Sequence, residues 1–332
     1  MITGVVGVLL VVLMSLQFRA WRNFNWHVFW QQTKGVNLLC VAGAIAFIHT
    51  AYWLRALRWR IFLTPLHRTT SRRLLPPTLI GFAALALLGR PGELIRPYLI
   101  ARREGLPFPS QLAVWTVERM FDIGAFATLL VLDIFIAPNL PYVAEFRKAG
   151  FMLMALVLGL ALGAFAVRRN RTGVADWVKK RLSAHWPRMG REVARRIEAF
   201  GEGLYTIREP KAFVQVFAVS MMVWVSIASA ATSVMHAYPQ PLRSLRFSQA
   251  VLVVAFSMAG SFLNLPTVGG GTQLAVFAGL AGVLAIPREL ALSSGLMLWL
   301  VGYVSVIPLG LALAHREHVS LRRLARETAS AG

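Results

Sequence analysis

The chain has 332 residues, with 35 Lys+Arg against 14 Asp+Glu and a formal net charge of +21. Hydrophobic residues make up 57% and charged residues 15%, with a mean hydropathy of +0.59; soluble globular chains run nearer about 45–50% apolar and about 25% charged. This composition excludes disorder, a disulfide scaffold, collagen and an ordinary soluble enzyme, and predicts an all-α integral membrane protein. The lone cysteine, Cys40, excludes an intrachain disulfide. Basic residues placed between apolar runs read as loops at an anionic membrane face and not as a nucleic-acid surface.

Residues 1–17 form an apolar run with no basic leader and no small-residue cleavage site, and read as a retained span of barely sufficient length. Residues 18–35 are rich in Trp and Phe. Phe18, Trp21, Trp26, Phe29 and Trp30 fall on one half of a helical wheel, which predicts an interfacial amphipathic helix. Residues 36–54 read as a second span, ending in the loop cluster Arg55, Arg58, Arg60, Arg68, Arg72 and Arg73. Residues 74–88 are apolar but short, break at Gly89-Arg90-Pro91-Gly92-Glu93, and continue as a short arm at 94–103. Two short arms around a Gly/Pro break predict a re-entrant hairpin at 74–103.

Residues 110–137 and 150–167 read as further spans. The polar segment 168–211 carries 12 basic and 5 acidic residues. Its stripe Leu182, Trp186, Met189, Val193, Ile197, Phe200 and Leu204 predicts a basic amphipathic linker, either simply solvated or resting on anionic headgroups. Residues 212–236 span again, and residues 247–265, broken at Pro266 to Gln273 and resumed at 274–286, predict a second hairpin over 247–286. Residues 289–314 form the last span, followed by a basic tail.

With the N-terminus inside and about six full crossings, each hairpin returning to its own side, the loops at 55–73, 168–211 and 315–332 hold 22 basic residues and the outer loops hold 7. This bias obeys the positive-inside rule and puts both termini in the cytoplasm. The halves also match at an offset of 180: Gly89 with Gly269, Leu94 with Leu274, Ala101 with Ala281, Pro107 with Pro287 and Leu112 with Leu292. The expected architecture is one membrane domain over 1–332, made of inverted repeats at 1–137 and 150–314, with opposed hairpins and the site between them.

Acidic residues are scarce, so their positions are informative. In apolar segments only Glu93, Glu118, Asp122 and Asp133 occur. Glu118, eight residues into its span, lies roughly 12 Å deep at about 1.5 Å per residue, near the middle of a core about 30 Å thick. Asp122 follows one turn on, and Arg119 reaches it at i+3. Two readings stand: a structural ion-pair network with Arg90 or Arg96, or a polar cavity for an anionic headgroup or a coupling ion. Glu93 and Arg96 share a face of the first arm, whose N-terminus would add free N–H groups. Arg suits lipid phosphate because its fork is bidentate. At the second break Gly269, Gly270 and Gly271 allow close backbone approach, as an opposite wall of the same site or as a simple packing or flexible point. Gln273 there donates and accepts without charge. No nucleophile triad, Walker loop, dinucleotide fingerprint or metal cluster is visible, so neither an enzyme nor a cofactor is expected.

The run Gly89 to Arg96, with Tyr98-Leu99-Ile100-Ala101-Arg102, Gly105-Leu106-Pro107, Val117 to Asp122, Pro266 and Gly269 to Gly271, resembles the flippase-like, lysylphosphatidylglycerol synthase transmembrane-region family. Many relatives carry Glu where this chain has Gln273, so a role for that carboxylate, such as proton coupling, does not carry over. No segment is long enough for the soluble aminoacyl-transferase domain of the bifunctional members, and lysyl transfer is not expected. The resemblance implies a polytopic inner-membrane protein that moves anionic phospholipids or lipid-linked glycans between leaflets, with membrane lipids as partners and a lipid- or glycan-synthesising enzyme as a further one. The expected substrate-binding residues are Arg90, Glu93, Arg96, Glu118, Arg119, Asp122, Gly269, Gly270, Gly271 and Gln273. A small-solute or ion transporter and a non-transporting scaffold are the alternatives.

Overall fold

The computed structural model describes residues 25–65, 67–136, 210–261 and 270–317, the helix Arg171–Ser183 and a few positions between 151 and 191. The expected span at 1–17, nearly all of that at 150–167, most of the stripe over 182–204 and the tail beyond Glu317 lie outside these residues. Every regular element among the described residues is helical. Three stretches are long and apolar enough to cross a membrane: Leu38–Leu63, Lys211–His236 and Arg288–Arg316. A fourth long helix, Phe108–Ile136, has 29 residues but carries Glu118, Arg119, Asp122 and Asp133.

The chain enters through α1 (Trp26–Lys34), capped by Asn25, whose side chain accepts from the Val28 N–H at 3.1 Å. Its aromatic face divides. Phe29 turns inward, whereas Trp26 and Trp30 are 48% and 56% exposed. The helix is held by a Thr33–Ser293 hydroxyl contact of 2.7 Å and by the Asn25 N–H donating to Glu289 at 3.3 Å. Asn37 caps α2 (Leu38–Leu63) by accepting from Leu39 N at 2.9 Å. This helix does not stop at residue 54. It runs nine residues further, so Arg55, Arg58 and Arg60 belong to the helix and not to a loop.

The first hairpin has two packed arms. Thr70 caps α3 (Ser71–Leu88), an 18-residue helix three residues longer at its start than its apolar run. It ends at Gly89, whose φ of 68° favours glycine. A short 3₁₀ turn, Arg90–Leu94, leads into α4 (Ile95–Glu104), which closes on left-handed Gly105. The arms meet at glycines. Gly81 lies against the stem of Arg96, and Gly92 lies against the Ala84 carbonyl, where a Cβ would stand 2.5 Å from the Ala84 carbonyl carbon and 2.6 Å from the Leu85 nitrogen. After α5 (Phe108–Ile136) and α6 (Arg171–Ser183) comes α7 (Pro210–His236), which packs along α2. Ala51 and Leu54 meet Val219 and Val223 there, and the Ser233 hydroxyl donates to the Cys40 carbonyl at 2.8 Å.

In the second half α8 (Phe247–Ser261) packs against α9 (Gly270–Ala278) through Gly260 and Gly271. α9 runs on into a π-helical stretch, Gly279–Val283, where Gly279 meets the Phe256 ring. The last stretch is α10 (Arg288–Trp299), a π-helical segment Leu300–Val304, and α11 (Val306–Arg316). α11 lies on α3, with Gly310 against Ala83 and the Leu79 carbonyl. Small residues at such contacts let helix backbones approach closely where no water drives association. Many outward residues are apolar, among them Leu38, Leu39, Trp53, Ile123, Leu132, Leu309 and Leu311.

Gly92→Ala is expected to force the hairpin arms apart, at about the 1–3 kcal/mol of an overpacked core. Gly124→Ala, with nothing within 4 Å of the added carbon, is the matched control. Thermal unfolding in detergent checks both, and equal melting of Gly92→Ala and the parent would contradict the packed arms.

Candidate functional site

The site forms where α2, α4, α5 and α7 converge. Glu118 lies ten residues into α5, about 15 Å along the helix. Asp122 stands one turn further, on the same face. Arg58 of α2 faces both. Its Nη2 donates to Glu118 Oε1 at 2.5 Å, and its Nη1 donates to Asp122 Oδ1 at 2.7 Å and to the Ser220 hydroxyl of α7 at 2.8 Å. Arg96 grips Glu118 with both terminal nitrogens, Nη1 at 3.1 Å from Oε1 and Nη2 on Oε2. The Trp59 indole N–H donates to Glu118 Oε2 at 2.9 Å. Arg58, Glu118, Asp122 and Arg96 are all buried.

A carboxylate offers about four acceptor positions. Glu118 receives four donors, two from Arg96, one from Arg58 and one from Trp59, so it has none left for a ligand or a coupling proton. This bears out the ion-pair reading of Glu118 with Arg96 and adds Arg58, Trp59 and Ser220, which the sequence did not assign. Arg119 behaves differently. Its Nη2 stands 3.0 Å from Asp122 Oδ2 and 3.7 Å from Glu118, as the i+3 spacing predicts, but its side chain is 41% exposed.

That exposure opens on a small cleft lined by Gly81, Phe82, Leu85, Glu93, Arg96, Trp115 and Arg119. The hairpin supplies most of its wall. Glu93 and Arg96 both line it, as their shared face predicts, and no ion pair joins Glu93 to any described residue. The arm's N-terminus is not free, however. The 3₁₀ turn runs into α4, and the Ile95 N–H already donates to the Gly92 carbonyl. Aromatic rings back the cluster: the Arg96 guanidinium lies 5.2 Å from both the Trp59 and the Phe82 centroid.

The sequence model of the lysylphosphatidylglycerol synthase TM region family matches residues 1–310. The chain belongs to that family. No curated protein and no solved structure gave a match. Membership in this family of lysylphosphatidylglycerol synthase TM regions, together with the long apolar helices, makes this a membrane protein of a lipid-related family.

For this family member, the predicted site residues divide into three groups. Glu93, Arg96, Glu118, Arg119 and Asp122 come together. Gly269 and the side chain of Arg90 lie outside the described residues. In the second half, Gly270 begins α9, Gly271 packs on Gly260, and Gln273 is half-buried with its amide nitrogen unpartnered. Neither Gly271 nor Gln273 shares a hydrogen bond or ion pair with the arginine cluster. Arg58 was the residue hardest to find, because its acidic partners lie 60 and 64 positions away.

Removing one member of a buried ion pair costs about 3–5 kcal/mol, because the partner charge is left uncompensated. Glu118→Gln leaves Arg96 without its carboxylate partner and removes one of the two carboxylates on Arg58, and is expected to lose that much. Arg119→Ala is expected to stay within about 1 kcal/mol, because its head is partly exposed and Asp122 keeps Arg58. Denaturant titration of both variants in micelles checks the contrast; a benign Glu118→Gln would mean that the ion-pair network does not hold the helices together.

Proposed function

We propose that this protein moves an anionic phospholipid or a lipid-linked glycan between the leaflets of a bacterial-type inner membrane. The observation that carries this reading is a cluster of guanidinium groups beside a cleft. Arg58, Arg96 and Arg119 stand against Glu118 and Asp122, and only Arg119 presents an exposed head to the cleft. Isolated charge inside an apolar span is costly, and where it persists it marks a pathway for polar cargo. In this reading the hairpin α3–α4 is re-entrant, the α8–α9 hairpin opposes it in an inverted repeat, and both termini are cytoplasmic. The exposed head of Arg119 would draw the anionic headgroup toward the cleft, and Glu93 would repel a second anion. Translocation needs no catalytic group and no resident cofactor.

A non-transporting scaffold is the second reading, favoured by the saturation of Glu118, which suits a purely structural role. Lipid flip-flop in proteoliposomes separates the two. Fluorescent phospholipid analogues are bleached from outside by dithionite, and accessible lipid above one half is expected for the parent. Arg119→Ala is expected to slow exchange about tenfold or more, the loss of one charge-assisted contact, with unchanged melting. Parent vesicles indistinguishable from empty ones across several headgroups would leave the scaffold standing.

A further inference from the structure

Arg55 lies one turn before Arg58 on α2, and it is only 8% exposed. Unlike Arg58, it makes no hydrogen bond or ion pair with any described residue; its Nε, like that of Arg58, is buried without a partner. Its guanidinium rests 5.0 Å from the centroid of Phe82, the ring that also carries Arg96 and lines the cleft. Three further features converge here. Tyr52 lies tilted against Phe82, with centroids 4.7 Å apart, and donates its hydroxyl to the Gly302 carbonyl at 2.8 Å. Gly302 belongs to the π-helical segment Leu300–Val304, and such bulges recur at functional sites. Tyr303 of the same segment is within electrostatic reach of both Arg55 and Glu93.

The charges do not close. Arg55 is within electrostatic reach of Arg58, Arg119, Glu118 and Asp122. Counting Arg96 and the cleft carboxylate Glu93, four guanidiniums face three carboxylates, an excess of one positive charge. A buried guanidinium with five donors and no acceptor is costly unless a ligand completes it.

We propose that Arg55 is the phosphate-binding group of this site, and that the site takes a single phosphodiester monoanion, the linkage of an anionic phospholipid or of a polyprenyl-linked sugar. The bidentate fork of Arg55 matches two phosphate oxygens, and one negative charge cancels the excess. Phe82 lies against the fork and Tyr52 braces Phe82, so the fork is pre-organised before the ligand arrives. The Arg58–Glu118–Arg96 network then acts as the frame of the site and not as its contact surface. This deepens the translocation reading and rests on it for the identity of the cargo, but binding is measurable without transport.

The test is equilibrium binding to the purified full chain in neutral detergent, read by intrinsic tryptophan fluorescence and native mass spectrometry. Phosphatidylglycerol, phosphate-free diacylglycerol and inorganic phosphate are the probes. The parent is expected to bind phosphatidylglycerol well above diacylglycerol. Arg55→Met is expected to weaken phosphatidylglycerol about tenfold to a hundredfold, the range for one charge-assisted donor pair, and to leave diacylglycerol unchanged. Because Arg55→Met removes an unpaired buried charge, the ligand-free variant is expected to melt no lower than the parent, an opposition of stability and binding that a merely structural residue would not show. Arg55→Lys, which keeps the charge and loses the fork, is expected to retain part of the affinity and decides the matter if Arg55→Met fails to fold. Equal phosphatidylglycerol binding by the parent and the variants would overturn the proposal. Inorganic phosphate binding as tightly as the lipid would overturn its lipid assignment. A parent that binds phosphatidylglycerol through Arg55 but carries none across a bilayer would refute translocation alone. A parent and Arg55→Met that carry lipid equally fast would refute the role of Arg55 alone.

Discussion

The carboxylate of Glu118 is the constraint on which the rest of the structure depends. A bare charge at that depth in an apolar bundle costs at least about 2.5–3.5 kcal/mol on insertion scales. Four donors offset that cost only if α2, α4 and α5 arrive in one register: Arg58 and Trp59 from the first, Arg96 from the second, Glu118 from the third. Ser220 of α7 adds a further hydrogen bond to Arg58. A shift of one helix by a turn would leave a guanidinium facing hydrocarbon. Buried ion pairs are seldom more stabilising than a well-packed apolar core, so the network is better understood as setting where the helices stand than as strengthening their association.

The hairpin glycines are the second half of the same arrangement. Arg96 reaches Glu118 because its stem lies directly on Gly81, a contact that any side chain at residue 81 would block. Gly92 brings the turn against the Ala84 carbonyl, which in turn aims Glu93 into the cleft. The small-residue contacts are therefore steric preconditions for the electrostatic ones. Phe82 connects the two sets, as it touches Tyr52, Arg55 and Arg96 and lines the cleft at once.

Which parts were legible in the sequence follows from the range of the forces involved. The scarce acids Glu118 and Asp122 were legible because a carboxylate in an apolar run is costly unless it is paired or wet. The break between α3 and α4 was legible because Gly89 and Pro91 interrupt the helix locally. Arg55 and Arg58 were not, because an arginine cluster after an apolar run satisfies the rule for a cytoplasmic loop, and nothing local reveals an acid 60 positions on. The aromatic segment was legible in part: residues 26–34 are helical with Trp26 and Trp30 outward, but packing under α10 turns Phe29 inward, away from them. The free helix N-terminus also failed, since a 3₁₀ turn is invisible to periodicity and it takes up the Ile95 N–H.

Reassigning those two arginines leaves the orientation argument standing. Removing Arg55 and Arg58 from the 22 inner basic residues leaves 20 against 7 outside, still a strong inward bias. What changes is the meaning of the cluster. Arg60 sits near the end of α2, where a basic side chain reaches the interface, whereas Arg58 and Arg55 lie deeper on the same helix. Both terminal nitrogens of Arg58 are engaged, whereas Arg55 makes no hydrogen bond or ion pair with any described residue. Sequences that are consistent at every other level break a local rule chiefly where function requires it. Within the described residues, the unpaired guanidinium of Arg55 is such a break, one turn away from a guanidinium whose two terminal nitrogens are both engaged.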